Sequence, residues 1–313
     1  MAMTLLFISE TDRTDWWQSE LSRASPGLEV RAWPDIGAPA DIDYALVWKP
    51  RPGELAKLPN LKAIFSLGAG VDHIFADPDL PEGVPVTRIV DANLTAGMSE
   101  YVLLHTLRYH RNQPVFDRQQ RDHVWDMRMS EMRQAYETSV GVLGLGEIGS
   151  DAAVKLSALG FSVAGWSRTQ KSMHGVECYA GEAEFQAFLA RTRILVCLLP
   201  LTPATAGILN AAAFASMPRG GYLINAGRGG HLVEDDLIPA LDSGQLAGAT
   251  LDVFAQEPLP PGHPFWDHPA ITVTPHNASI TDPRSVAAQV AENIRRQRAG
   301  EPLLNLVDPE AKY

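Results

Sequence analysis

The chain has 313 residues, 45% of them apolar and 20% charged, which is enough for two domains and a sizeable core. Its formal net charge of −11 argues against nonspecific binding to nucleic acid or to an anionic membrane. Two cysteines, no basic-then-apolar leader and no apolar run near 20 residues exclude a disulfide scaffold and a membrane span, and lead us to expect a reducing, cytoplasmic setting.

Short apolar runs alternate with helix-like segments, the signature of α/β architecture. In the first hundred residues "TLLFIS", "LEVRAW", "YALVW", "KAIFSL" and "VPVTRI" read as strands, and "DWWQSELSRA" as a helix. The segment "NLTAGMSEYVLLHTLRYHRN" follows, with Tyr101, Leu104 and Leu107 at helical spacing. Residues 115–137, polar with interspersed Met and Trp125, read as a linker or arm. A second α/β series then begins, with strands expected at 139–143, 161–166, 193–198, 221–225, 248–252 and 271–274. Cys197 lies inside one of these runs and reads as a small core residue. The chain closes with the helix-like "DPRSVAAQVAENIRRQRAG".

In "VGVLGLGEIGSDAAVKLSALG", Gly144, Gly146 and Gly149 have G-x-G-x-x-G spacing. An apolar strand precedes them, and a helix with Ala153, Leu156 and Leu159 on one face follows. That context marks a dinucleotide turn, with Leu145, Glu147 and Ile148 between the glycines. The first glycine permits the turn, the second the approach of a pyrophosphate, and the third close helix–strand packing. An NAD site carries an acid about 20 residues on, to bind the ribose hydroxyls. Here "WSRTQK" offers Ser167, Arg168 and Lys171 instead. A hydroxyl and two cations suit a 2′-phosphate, so the sequence favours NADP over NAD.

Arg228, Glu257 and His276 each follow a strand-like run of this second series. All three are expected at the C-terminal edge of one parallel sheet, where ligands bind in such folds. Arg228 stands among glycines in "INAGRGGHL", and a sheltered guanidinium calls for an anion.

The motifs "LINAGRGGHLVEDDL", "LDVFAQEPLP" and "TPHNASIT", together with the glycine turn, resemble the D-2-hydroxyacid dehydrogenase family. "LVWKP", "LGAGVDHI", "WSRTQKS" and "VEDDLIPALDSG" are closer still to the family's reductases of glyoxylate and hydroxypyruvate. The resemblance spans nearly the whole chain in unbroken motif order.

It implies two Rossmann-like domains with parallel sheets and an active site in the cleft between them. Residues 1–98 plus 284–313 would bind substrate, and 99–283 the dinucleotide. Arg228 would bind the carboxylate and carbonyl oxygen of a 2-keto acid, and His276 would donate a proton to that oxygen. Glu257 would orient His276 and favour its protonated form. Trp48 and the backbone of Gly68, Ala69 and Gly70 would meet the substrate, with Val71 near the nicotinamide. The cofactor would also touch Trp166, Thr169, Leu199, Pro200, Thr205, Ala226, Gly227, Asp252 and Ala278. No metal is expected. A homodimer is, with Trp125 reaching toward the partner. The expected activity is NADPH-dependent reduction of glyoxylate and hydroxypyruvate. The alternatives are a dehydrogenase of a larger 2-keto acid and a non-catalytic dinucleotide sensor of the same fold.

Overall fold

The computed structural model describes residues 3–128 and 132–309. The middle of the expected arm, 129–131, and the tail beyond 309 lie outside the described residues.

The chain divides into two compact units. One runs to Leu94 and resumes at Thr281; the other is Thr95–Ile280. The first holds β1 (Met3–Ile8), α1 (Thr14–Ala24), β2 (Leu28–Ala32), β3 (Tyr44–Val47), β4 (Ala63–Ser66), the single turn α2 (Asp72–Phe75) and β5 (Val86–Thr87). The helix α3 (Ala92–His110) leads out of it. The second continues with α4 (Gln113–Arg121), β6 (Ser139–Leu143), α5 (Glu147–Ala158), β7 (Ser162–Ser167), β8 (Val176–Ala180) and α6 (Gly181–Arg191). Then come β9 (Ile194–Cys197), α7 (Ala211–Ser216), β10 (Gly221–Asn225), α8 (Glu234–Asp242), β11 (Leu246–Leu251) and β12 (Ile271–Val273). The helix α9 (Pro283–Ala299) returns to the first unit.

Each unit is built on a parallel sheet. The first has strand order β2-β1-β3-β4-β5 and the second β12-β11-β10-β9-β6-β7-β8. Strand residues alternate between two apolar layers. Val140, Ile194, Val196 and Ile224 face one side of the second sheet, while Leu143, Leu195, Cys197 and Leu223 face the other. Burial on both sides explains the near-continuous apolar runs.

The last helix is capped at both ends. Asp282 accepts the Arg284 N–H, Pro283 opens the first turn, and Gly300 leaves in the left-handed region at φ 69°. Its Val286, Val290 and Ile294 complete a core with Leu5, Phe7, Trp17 and Leu21.

Four expectations need correction. The strand β8 is absent from the sequence reading because this edge strand, "VECYA", is half polar. The 84–89 strand shrinks to Val86–Thr87. Leu159 lies past the end of α5 and is exposed, so the buried face of that helix is Gly149, Ala152, Ala153 and Leu156. On α3 the expected stripe is split: Tyr101 is buried, but Leu104 is 61% exposed. The core side of α3 instead carries Tyr101, Val102, His105 and Tyr109.

His105 packs 4.4 Å from the Tyr101 ring and lies 3.4 Å from the Thr250 hydroxyl. Burial, aided by Arg108, drives its imidazole down from 6.5 to about 4. Between those values the unfolded chain binds more protons than the folded one. Stability is therefore complete above pH 6.5 and falls as pH drops toward 4. Between neutral pH and pH 4 the wild type should lose about 3 kcal/mol more than a His105→Gln variant. Urea unfolding at a series of pH values measures this; equal acid limbs would contradict it.

Candidate active site

Because every strand of the larger sheet runs the same way, the segments after β6, β9, β10, β11 and β12 emerge at one edge. The order reverses between β6 and β9, which is where such sheets bind ligands.

The glycine turn leaves β6. Gly144 has φ 98°, and a Cβ there would fall 2.8 Å from the Leu198 carbonyl oxygen. At Gly149 a Cβ would overlap the Gly144 carbonyl. Both glycines are thus demanded by the fold. Gly146 is different: its backbone is extended at φ −79°, and a Cβ there meets nothing within 4 Å. Packing does not require glycine at that point, but a phosphate lying against the backbone would. The turn opens directly into α5, whose first N–H groups and positive dipole end suit a pyrophosphate. The residues present fit a dinucleotide. Leu145 is buried, Ile148 is half-buried and Glu147 is exposed on the first turn.

Beyond β7, the Ser167 hydroxyl donates to the Thr169 carbonyl at 2.8 Å and shapes the loop. Arg168, Thr169 and Lys171 are exposed. Trp166, expected at the cofactor, has its side chain in the core, packed 5.2 Å from Phe185, with its indole N–H donating to the Gly181 carbonyl.

The Arg228 turn is held by two side chains that sequence reasoning missed. Asn225, fully buried at the end of β10, donates to the Arg228 carbonyl at 3.2 Å and accepts the Gly227 N–H. His231 Nδ1 accepts the Arg228 N–H at 3.0 Å, while Nε2 donates to the Pro200 carbonyl at 3.2 Å. Thr205 donates to that same carbonyl at 2.7 Å, which ties the 199–205 loop to the arginine turn. Leu199, Ala226 and Gly227 are buried around this junction, and Pro200 is exposed. The Arg228 Nη1 donates to the Gly227 carbonyl at 2.8 Å. A Cβ at Gly229 would overlap the Phe254 carbonyl. Glycine there lets the arginine turn meet the loop that carries Glu257.

His276 Nδ1 lies 2.8 Å from Glu257 Oε2, and Glu257 Oε1 accepts the Phe254 N–H at 3.0 Å. His276 itself sits in the left-handed region at φ 53°. Asp252, 1% exposed, holds its turn. The Asp252 carbonyl accepts the His276 N–H, and its carboxylate accepts from the Thr274 hydroxyl and from the Asn277 and Ala278 N–H groups. Asp252 was expected at the cofactor; both its oxygens are engaged with this turn.

In the first unit, Trp48 follows β3 and the 68–70 loop follows β4. A Cβ at Gly68 would fall 2.7 Å from the Trp48 ring, and that ring lies 4.7 Å from His73. Ala69 packs on the first unit's core. The Ser66 hydroxyl braces the loop by donating to the Gly70 carbonyl and accepting the Gly68 N–H. Val71, expected near the nicotinamide, is a core residue.

Residues 103–278 match the family model of the D-isomer specific 2-hydroxyacid dehydrogenase, NAD binding domain. A glyoxylate/hydroxypyruvate reductase A of Serratia proteamaculans is 45% identical over 312 residues, with 98% of each chain covered. The chain belongs to the D-isomer specific 2-hydroxyacid dehydrogenase family. A dehydrogenase of that family from Xanthobacter autotrophicus, crystallised with NADPH, is 48% identical with a TM-score of 0.94 over 100% of both chains. An NADPH-dependent glyoxylate/hydroxypyruvate reductase from Sinorhizobium meliloti, crystallised with NADP and sulfate, is 43% identical with a TM-score of 0.93 over 99% of this chain and 100% of that one. Membership gives the two parallel-sheet units their Rossmann-like character and the glycine turn its dinucleotide.

The contrast among the three glycines is testable. Gly146→Ala should leave urea stability within about 0.5 kcal/mol yet weaken dinucleotide binding roughly tenfold. Gly149→Ala should cost about 3 kcal/mol of stability. Equal losses of stability in both variants would remove the ligand argument for Gly146.

Proposed function

We propose that this protein is an NADPH-dependent reductase of small 2-keto acids, taking glyoxylate to glycolate and hydroxypyruvate to D-glycerate. The observation that carries this reading is the Glu257–His276 pair at 2.8 Å beside the glycine-built Arg228 turn. The cofactor supplies hydride to the carbonyl carbon. The protein's own groups manage the charge that this leaves on oxygen. Glu257 receives the Nδ1 side of the ring and so directs Nε2 to the substrate oxygen as proton donor. Arg228 offers its planar fork to the substrate carboxylate and carbonyl. Trp48 and the backbone of the 68–70 loop serve as substrate contacts by resemblance to the family.

Arg168 and Lys171, with Ser167, provide the positive ground for the 2′-phosphate of NADPH. The relatives that bind NADPH and NADP support the same choice. A second copy of the chain is the proposed partner. Trp125 is 95% exposed, and Leu104, Leu107, Met127 and Tyr136 add apolar surface. Two free thiols suit a cytoplasmic setting.

Steady-state titrations with NADPH and NADH test the chemistry. Arg228→Ala should cut kcat/KM for glyoxylate at least a hundredfold, about 3 kcal/mol, with NADPH affinity kept. Arg168→Ala should lower kcat/KM for NADPH about tenfold to a hundredfold and leave NADH nearly unchanged. A wild type that prefers NADH, or does not reduce 2-keto acids, would sink the reading. Sedimentation equilibrium should give a dimer that Trp125→Ala weakens; a single copy at micromolar concentration would refute the partner.

A further inference from the structure

Tyr101 lies on the buried side of α3, and its hydroxyl is 2.7 Å from Thr274 Oγ1. The Thr274 hydroxyl is in turn 2.6 Å from Asp252 Oδ1. An ionised carboxylate only accepts, so Thr274 gives its one proton to Asp252. The proton shared between Tyr101 and Thr274 must then come from the phenol. The polarity of the chain is fixed: Tyr101 donates to Thr274, and Thr274 donates to Asp252.

The chain ends at the group that holds the His276 turn. Asp252 also takes the Asn277 and Ala278 N–H groups on its carboxylate and the His276 N–H on its carbonyl. A histidine at φ 53° persists only where its surroundings over-determine it.

We infer that Tyr101 is a positioning residue for the reduction, acting through Thr274 and Asp252 on the turn that carries His276. Packing alone does not account for the phenol. The ring packs tilted against His105, centroids 4.4 Å apart, a contact that phenylalanine would make as well. The hydroxyl is buried, and burying it unused would be costly. Burial also pushes the phenol well above its ordinary value, so it stays a donor at any working pH. Each donated bond polarises the next, so removing the first weakens the hold on Asp252 without emptying it.

This inference rests on His276 as proton donor, and the test separates the two. Tyr101→Phe, Thr274→Val, Thr274→Ser, the double variant Tyr101→Phe/Thr274→Val and His276→Gln are assayed with glyoxylate and NADPH. Tyr101→Phe should lose about tenfold in kcat, with KM for NADPH and urea stability near wild type. Its kinetic isotope effect with 4-deuterated NADPH should rise as chemistry becomes slower, which a merely structural role would not produce. Thr274→Ser keeps the hydroxyl and should keep kcat. The double variant should be no worse than Thr274→Val alone, because Tyr101 acts through Thr274. Inactive His276→Gln with a wild-type kcat in Tyr101→Phe, or additive losses in the double variant, would overturn this inference alone. An active His276→Gln would overturn the donor reading and this one with it.

Discussion

Asp252 is the constraint on which the candidate site depends. A carboxylate taken out of water costs several kcal/mol unless its lone pairs are met. Here one hydroxyl and two backbone N–H groups meet them, all from the same turn. The same residue reaches back through its own N–H to Asn225, which also grips the Arg228 turn. Strands β10 and β11 thus deliver two neighbouring buried polar side chains, and between them these fix both the arginine and the histidine. Removing either would leave stranded polar groups as well as a looser site.

Close backbone approach is the second device. Gly149 lets α5 sit on the glycine turn, and Gly229 lets the arginine turn touch the Phe254–Ala255 backbone. At both places a single methyl group would overlap main chain, which cannot rotate away. Gly146 follows the opposite logic, being open where the others are crowded. Glycine can mark either an internal contact or room kept for a ligand, and the built Cβ tells the two apart.

Much of this was legible in the sequence because it is local. The strands of a doubly covered parallel sheet read as apolar runs, and the glycine turn, Arg228, Glu257 and His276 each follow such a run. What escaped was either half polar or contributed by distant segments. β8 lacks the apolar run, as an edge strand can. Tyr101 and Thr274 are 173 residues apart, and no local pattern pairs them. Periodicity on α3 found an apolar stripe but could not say which part faces the core: Leu104, the more apolar residue, is exposed, while Tyr101 is buried because its hydroxyl finds a partner in Thr274. The side chains of Trp166 and Val71 lie in the cores for a related reason: at the ends of strands, neighbouring side chains alternate between the two faces, which hydropathy alone does not resolve. His231 left a trace, three residues after Arg228 in a tight turn.

Two histidines in this edge show how surroundings divide roles. His231 faces an N–H at Nδ1 and a carbonyl at Nε2. Those two partners engage both ring nitrogens and make the ring a brace between the arginine turn and the 199–205 loop. His276 faces the Glu257 carboxylate at Nδ1, an oxygen that can only accept from a proton-bearing nitrogen. An amide against one imidazole and a carboxylate against the other thus give the same side chain two different settings at a single sheet edge.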